Sequence, residues 1–167
     1  MAMTQRRILF VCLGNICRSP LAEGIFLHLA ETRGLGEKYS ADSAGTGNWH
    51  AGDPPDSRAM ETAARRGVHL PSICRQVRKS DFKEFDLILP MDRSNRDNLL
   101  DMCPAPLRGK IRLMRDFDPK TTPEAEPEVP DPYYGDESGF DRVFDMLHRS
   151  CDALLDRLES EGAGPKV

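Results

Sequence analysis

No apolar run in these 167 residues approaches the roughly 18 that a membrane-spanning helix needs, and Met1 to Arg7 is short and polar. A cytoplasmic protein with no membrane insertion is expected. No block of basic residues is present either. Lys+Arg 23 against Asp+Glu 27 leaves a net charge of -4 and a pI near 5.6, which argues against nucleic acid as a partner. The five cysteines, at positions 12, 17, 74, 103 and 151, lack paired CxxC spacing, so neither a disulfide framework nor a structural zinc site is expected. A reducing compartment fits that pattern. No GxxxxGK[ST] follows the first apolar run, which excludes a nucleotide-binding loop of that type. There is no internal repeat, and the length suits one domain over residues 1–167 with its core in 6–158.

What the chain does have is Cys12-Leu13-Gly14-Asn15-Ile16-Cys17-Arg18-Ser19, between the apolar run Ile8 to Val11 and the helix-like stretch Pro20 to Thr32. At such a strand-to-helix corner, successive backbone N–H groups converge on one point and the helix N-terminus adds partial positive charge. Arg18 adds a planar fork that matches two oxygens of a tetrahedral oxyanion and never deprotonates, so phosphate is the expected guest. The same field favours the thiolate of Cys12 over its free pKa of about 8.5. Cys12 therefore reads as a nucleophile, although a free cysteine ending a buried strand is commonly only a small hydrophobe. Ser19 is open between two roles: N-cap ahead of Pro20, or hydrogen-bond donor to the Cys12 sulfur.

Ile8 to Val11 and Asp86 to Leu89 are near-continuous apolar runs, as strands covered on both faces should be; Tyr39 to Ser43 and Ile111 to Met114 are weaker strand candidates. Helical stripes lie between and after them, on Leu21, Ala22, Ile25, Phe26 and Leu29, then on Ala59, Met60, Ala63 and Ala64 up to Gly67, and last from Phe140 to Leu158. The alternation predicts an α/β sandwich with a mainly parallel sheet, and ligands of such sheets sit outside the carboxyl ends of the strands, where the Cys12 loop falls. Pro119 to Pro130 is a Pro- and Glu-rich loop, too polar for core, that delivers the chain to Asp131-Pro132-Tyr133-Tyr134-Gly135. The tail from Glu159 is expected to fray.

These residues resemble the low-molecular-weight protein tyrosine phosphatases. The likeness is carried by Cys12 to Ser19 with Pro20, by Asp42-Ser43-Ala44-Gly45-Thr46, by Trp49, Asp56 with Arg58, Arg75-Gln76, Met91-Asp92 with Ser94-Asn95, and by Asp131-Pro132-Tyr133-Tyr134. The resemblance implies a three-layer α/β fold with a central four-stranded parallel sheet, the phosphate-binding loop joining its first strand and first helix. It also implies a phosphotyrosine-protein phosphatase without metal or cofactor. Cys12 would form a phosphocysteine intermediate, and Asp131 would be acid and then base. Arg18 and the amides from Leu13 through Gly14, Asn15, Ile16 and Cys17 would hold the phosphoryl oxygens. Taken without the resemblance, Asp131 before Pro132 is a turn residue, and Trp49, Tyr133 and Tyr134 are ordinary loop aromatics. In the proteins it is similar to, the positions of Trp49 and Tyr133 wall a narrow cleft for a flat aromatic ester. Relatives selective for phosphoarginine carry threonine where this chain has Ile16. The resemblance further implies oxyanions such as phosphate as inhibitors, phosphotyrosine-containing proteins as partners, and a reversible Cys12 to Cys17 disulfide on oxidation.

One departure from the family pattern is Ser72, three residues before Arg75, where the family commonly places a histidine that helps hold the loop asparagine; His69 is the nearest histidine here. An arsenate reductase of the same fold would need two further cysteines after the third strand region, and residues 78–92 contain none. A module that only binds phosphorylated or sulfated ligands would need the loop alone, without Asp131.

Overall fold

The computed structural model describes residues 5–133, 135 and 137–163. Strand β1 (Arg6–Cys12) is the middle of a parallel sheet, with β2 (Tyr39–Gly45) on one side and β3 (Leu87–Pro90) on the other. Side chains alternate across a strand, and β1 uses both faces as core: Ile8, Phe10 and Cys12 join one buried cluster, Leu9 and Val11 the other. That is why the run reads as continuously apolar. Helix α1 (Arg18–Thr32) packs on the first face with α5 (Glu137–Ala163), and α2 (Ser57–Arg65) packs on α5. The second face is closed by the short α3 (Asp81–Glu84) through Phe82 and by α4 (Arg93–Met102) through Leu99. Three layers result, with the first strand's carboxyl end delivering Cys12 directly into the loop before α1.

Among the described residues the sheet has three strands, not four. Ile111 makes a single parallel bridge to Ile88, with Arg112 N–H donating to the Ile88 carbonyl at 3.1 Å. A 3₁₀ turn occupies Ala105–Lys110 immediately before Ile111, and another begins at Met114, so only the three residues Ile111, Arg112 and Leu113 lie between them. That is too short to form a ladder. On the opposite edge, Gln76 bridges to Gly45, with Gly45 N–H donating to Arg75 O and Val77 N–H to Gly45 O, both at 2.8 Å. This bridge brings Cys74 and Arg75 beneath the Cys12 loop.

Two other expectations change. The end of α5 does not fray at Glu159: Leu158 is buried, and Glu159 holds Lys38 Nζ at 3.0 Å and the Tyr39 hydroxyl, so the helix continues to Ala163. The polar segment 119–130 is surface except at Pro127 and Val129; Val129 is fully buried and donates its N–H to Met91 O at 2.8 Å. That bond fixes the chain two residues before Asp131.

Candidate active site

Residues 12–18 form a tight loop whose geometry depends on Asn15. Asn15 has φ 59, the left-handed region that asparagine enters at lower cost than most residues, and this turns its N–H toward Cys12 Sγ at 3.3 Å. Its side chain is oriented unambiguously. Arg75 N–H can only donate, so the atom it meets at 2.9 Å is the Asn15 carbonyl oxygen, and the amide nitrogen then donates to Ser19 Oγ at 2.8 Å. The Ser19 hydroxyl also lies 3.0 Å from Cys12 Sγ, where it can donate to a thiolate or accept from a thiol, and 3.5 Å from Ala44 O, to which it can donate. Helix α1 starts at Arg18 with Cys17 in the N-cap position and no side-chain cap, so Ser19 is the partner of the sulfur and caps nothing.

Arg18 is 3% exposed and its guanidinium is held from behind: Nη1 donates to Asp92 Oδ2 at 2.7 Å and to the Val129 carbonyl at 3.0 Å. Burial opposes its charge, but the Cys12 sulfur, Asp92 and Asp131 more than offset that, and Arg18 stays above the ordinary guanidinium value. Asp131 stands across the cleft, one-third exposed, with Oδ2 at 3.6 Å from Arg18 Nη2. Its other oxygen, Oδ1, accepts from Tyr133 N–H at 3.0 Å. Asp131 is therefore the turn residue its sequence context suggests, and that turn is what aims the second oxygen at Arg18.

These groups line a cleft of about 290 Å³. Its lining brings together Cys12, Leu13, Gly14, Ile16, Cys17, Arg18, Trp49, Asp131 and Tyr133, all named from sequence. Asn15 and Ser19 lie behind it, buried, acting on Cys12. Tyr134 lies outside the described residues. Trp49 is 68% exposed, so its ring is available as a wall rather than packed as core.

Several residues in and around the cleft have no role assigned to them by the sequence alone. His50 lines the cleft mouth against Gly14, with Nδ1 3.7 Å from Asp53. Asp92 both caps α4, accepting from Asn95 N–H at 2.7 Å, and anchors Arg18; the Asp-x-x-Asn spacing is the cap signal that could have found it. Cys74 donates its thiol to the Asn15 carbonyl at 2.8 Å. Together with the Arg75 amide it holds Asn15 without a histidine at position 72. Burial pushes the Cys17 and Cys74 thiols up, to about 11 for Cys74, so both remain protonated at neutral pH.

Ser72 leaves its mark on Glu23. Glu23 is 4% exposed, accepts from Ser43 Oγ at 2.6 Å, and has Ser72 beside it, whose buried hydroxyl makes no hydrogen bond of full geometry. Burial, reinforced by Asp42, pushes the Glu23 carboxyl from 4.5 up to about 7, against the pull of Ser43, Ser72 and Arg75. The native state thus keeps a proton that the unfolded chain loses. Stability from this group is full below pH 4.5 and falls as the pH rises to about 7, a change of roughly 3 kcal/mol in scale. Glu23→Gln should remove that slope. Urea midpoints of the two proteins between about pH 5 and pH 8 check this, and parallel curves would contradict it.

With this geometry in hand, comparison with known proteins gives a consistent result. The model of the low molecular weight phosphotyrosine protein phosphatase family matches residues 7–163. A low molecular weight phosphotyrosine protein phosphatase of Homo sapiens is 39% identical over 158 residues, covering 91% of this chain and 95% of the human one. A protein tyrosine phosphatase from Entamoeba histolytica, crystallised with Hepes in the active site, superposes with a TM-score of 0.89 at 46% identity, covering 95% of this chain and 99% of that one. A Drosophila arginine phosphatase shares the fold at a TM-score of 0.83 and 33% identity, covering 91% of this chain and 97% of its own. The chain belongs to the low molecular weight phosphotyrosine protein phosphatase family.

Proposed function

We propose that this protein hydrolyses phosphotyrosine in proteins through a phosphocysteine formed on Cys12. The observation that carries the reading is the convergence of Cys12 Sγ, with the Asn15 N–H at 3.3 Å and the Ser19 hydroxyl at 3.0 Å, on the side of the cleft facing Arg18 and Asp131. Donors aimed at sulfur favour the thiolate and later a thiolate leaving group.

In the first step the Cys12 thiolate attacks phosphorus, the bond to the tyrosyl oxygen breaks, and Asp131 gives its proton to that oxygen. In the second step the Asp131 carboxylate takes a proton from water, the new hydroxide oxygen bonds phosphorus, and the P–S bond breaks to return the thiolate, with Ser19 donating to the departing sulfur. Arg18 and the amides of Leu13, Gly14, Asn15, Ile16 and Cys17 hold the oxygens whose charge spreads in each transition state. This supplies the positive charge with no metal. The Hepes in the Entamoeba relative's active site carries a sulfonate, which supports phosphate and similar oxyanions as inhibitors of this loop.

Trp49 and Tyr133 wall the cleft and suit a flat aromatic ester, while Ile16 offers an apolar wall with no hydroxyl for a guanidino phosphate. Oxidation of Cys12 by peroxide to the sulfenic acid, followed by condensation with the Cys17 thiol and loss of water, would give the reversible disulfide. All five thiols are free in this structure. A cytoplasmic setting accords with free thiols, and among the described residues no helix is long and apolar enough to cross a membrane.

Turnover of phosphotyrosine, phosphoserine and phosphoarginine peptides, compared side by side without added metal, tests the assignment. Phosphotyrosine should lead each of the others by about tenfold or more, the scale on which an apolar pocket discriminates. A phosphoarginine rate equal to or above it would move the protein to the alternative substrate class.

A further inference from the structure

Arg58 lies outside the cleft lining, yet it joins the two segments whose registration the reaction depends on. Its guanidinium forks onto Asp56, Nε to Oδ1 and Nη2 to Oδ2, both at 3.1 Å. Asp56 is fixed twice more. Its carboxylate caps α2 by accepting from Arg58 N–H at 2.8 Å, and its own N–H donates to the carbonyl of Ile16, in the phosphate loop, at 2.8 Å. On the other side, Arg58 Nη2 donates to the Tyr133 carbonyl at 3.1 Å. The guanidinium carbon sits over two rings, 5.3 Å from the centroid of Tyr133 and 4.8 Å from that of Phe140 near the start of α5. Tyr133 is the residue whose N–H orients the Asp131 carboxylate.

We infer that Arg58 is a positioning residue that docks the Asp131–Tyr133 segment onto the phosphate loop and so sets the acid's reach to the leaving oxygen. The chain of contacts runs from the Ile16 carbonyl through Asp56, Arg58 and Tyr133 to Asp131. Every link is a hydrogen bond with a fixed partner. Arginine is required because one side chain must fork a carboxylate, donate to a carbonyl and stack flat on aromatic rings; an ammonium offers none of that planarity. The inference rests on Asp131 as general acid. It also explains why Asp131, partly exposed and otherwise free to swing, can be held near one geometry, since misplacement of a reacting group by about 1 Å can cost up to 10²-fold.

A positioning role predicts a loss that depends on how much the leaving group needs a proton. Arg58→Ala should lower kcat/KM, which reports the step that breaks the ester bond and not the later hydrolysis of the phosphocysteine, on phenyl phosphate and phosphotyrosine peptides by about 10- to 10²-fold. On p-nitrophenyl phosphate, whose phenolate departs with little help, the loss should stay below about threefold. Vanadate affinity should be unchanged, because the loop amides and Arg18 remain. Arg58→Lys should show the same split, and it carries the test should the alanine variant melt below the assay temperature.

Combining Arg58→Ala with Asp131→Asn should add no further loss, since both act on one proton transfer. Equal losses on good and poor leaving groups, or losses that multiply in the double variant, would show Arg58 to be merely structural and overturn the inference. If Asp131→Asn alone shows no dependence on the leaving group, the general-acid reading itself has failed and the Arg58 role falls with it.

Discussion

Cys12→Ser should abolish turnover while phosphate and vanadate still bind. The alkoxide that serine would need is far harder to generate than a thiolate, even beside donors that favour negative charge on that atom. The binding apparatus is separate: the loop amides, and Arg18 with its anchors on Asp92 and Val129, do not depend on sulfur. Activity should drop to the detection limit, with the vanadate dissociation constant changing by no more than about threefold, as for loss of one modest contact. Steady-state assays on a phosphotyrosine peptide and equilibrium titration with vanadate read the two quantities independently. Residual activity above a trace would remove Cys12 as nucleophile. Lost binding would show instead that serine had collapsed the loop.

Asp131→Asn should lower turnover by about 10²- to 10⁴-fold, the range for loss of a general acid and base, with the larger loss on poor leaving groups. Asparagine keeps the side-chain oxygen that accepts from Tyr133 N–H, so the turn that shapes the segment survives while the transferable proton does not. For phosphotyrosine, the basic limb of the pH profile should flatten in the variant. That limb reports disappearance of the protonated carboxyl as pH rises, and the amide has none to lose. An unchanged profile with less than about threefold loss on both kinds of substrate would leave Asp131 as a turn residue only.

The loop and its place in the fold are legible in the sequence because the information is local. A buried strand writes itself as Ile8 to Val11, and an oxyanion loop must place its donors within a few residues of the nucleophile. Asn15 is less legible in its role than in its presence: the pattern names the residue, but the left-handed turn that sends its N–H to sulfur and its amide to Ser19 appears only in three dimensions. The resemblance was needed to bring in Asp131, because 119 residues separate it from Cys12 and nothing near it distinguishes an acid from a turn.

What stayed hidden depends on contacts between distant segments. Helix α4 is nearly invisible to apolar periodicity because it buries only Asn95 and Leu99. Ile111 to Met114 is a weak strand candidate by its apolar residues, but 3₁₀ turns on both sides leave it a single bridge. The support of the loop asparagine by Cys74 and the Arg75 amide could not be anticipated from the missing histidine at position 72, since both bonds arise from the edge bridge of Gln76 to Gly45. Val129 shows the converse. This apolar residue in a largely polar segment is fully buried, with its carbonyl accepting from Arg18 and its N–H donating to Met91 O.

The central claim is that the phosphoryl group passes through the sulfur of Cys12. Asp131→Asn provides the most direct test, since loss of the base in the second step should let the intermediate accumulate. That variant, carrying Cys17→Ser so that one thiol remains in the loop, is mixed with radiolabelled p-nitrophenyl phosphate, whose phenolate departs without the lost acid, quenched within one turnover and digested for mass analysis. The phosphoryl group should be found on Cys12. Label on Ser19, or turnover without any phosphorylated enzyme at any quench time, would contradict the account.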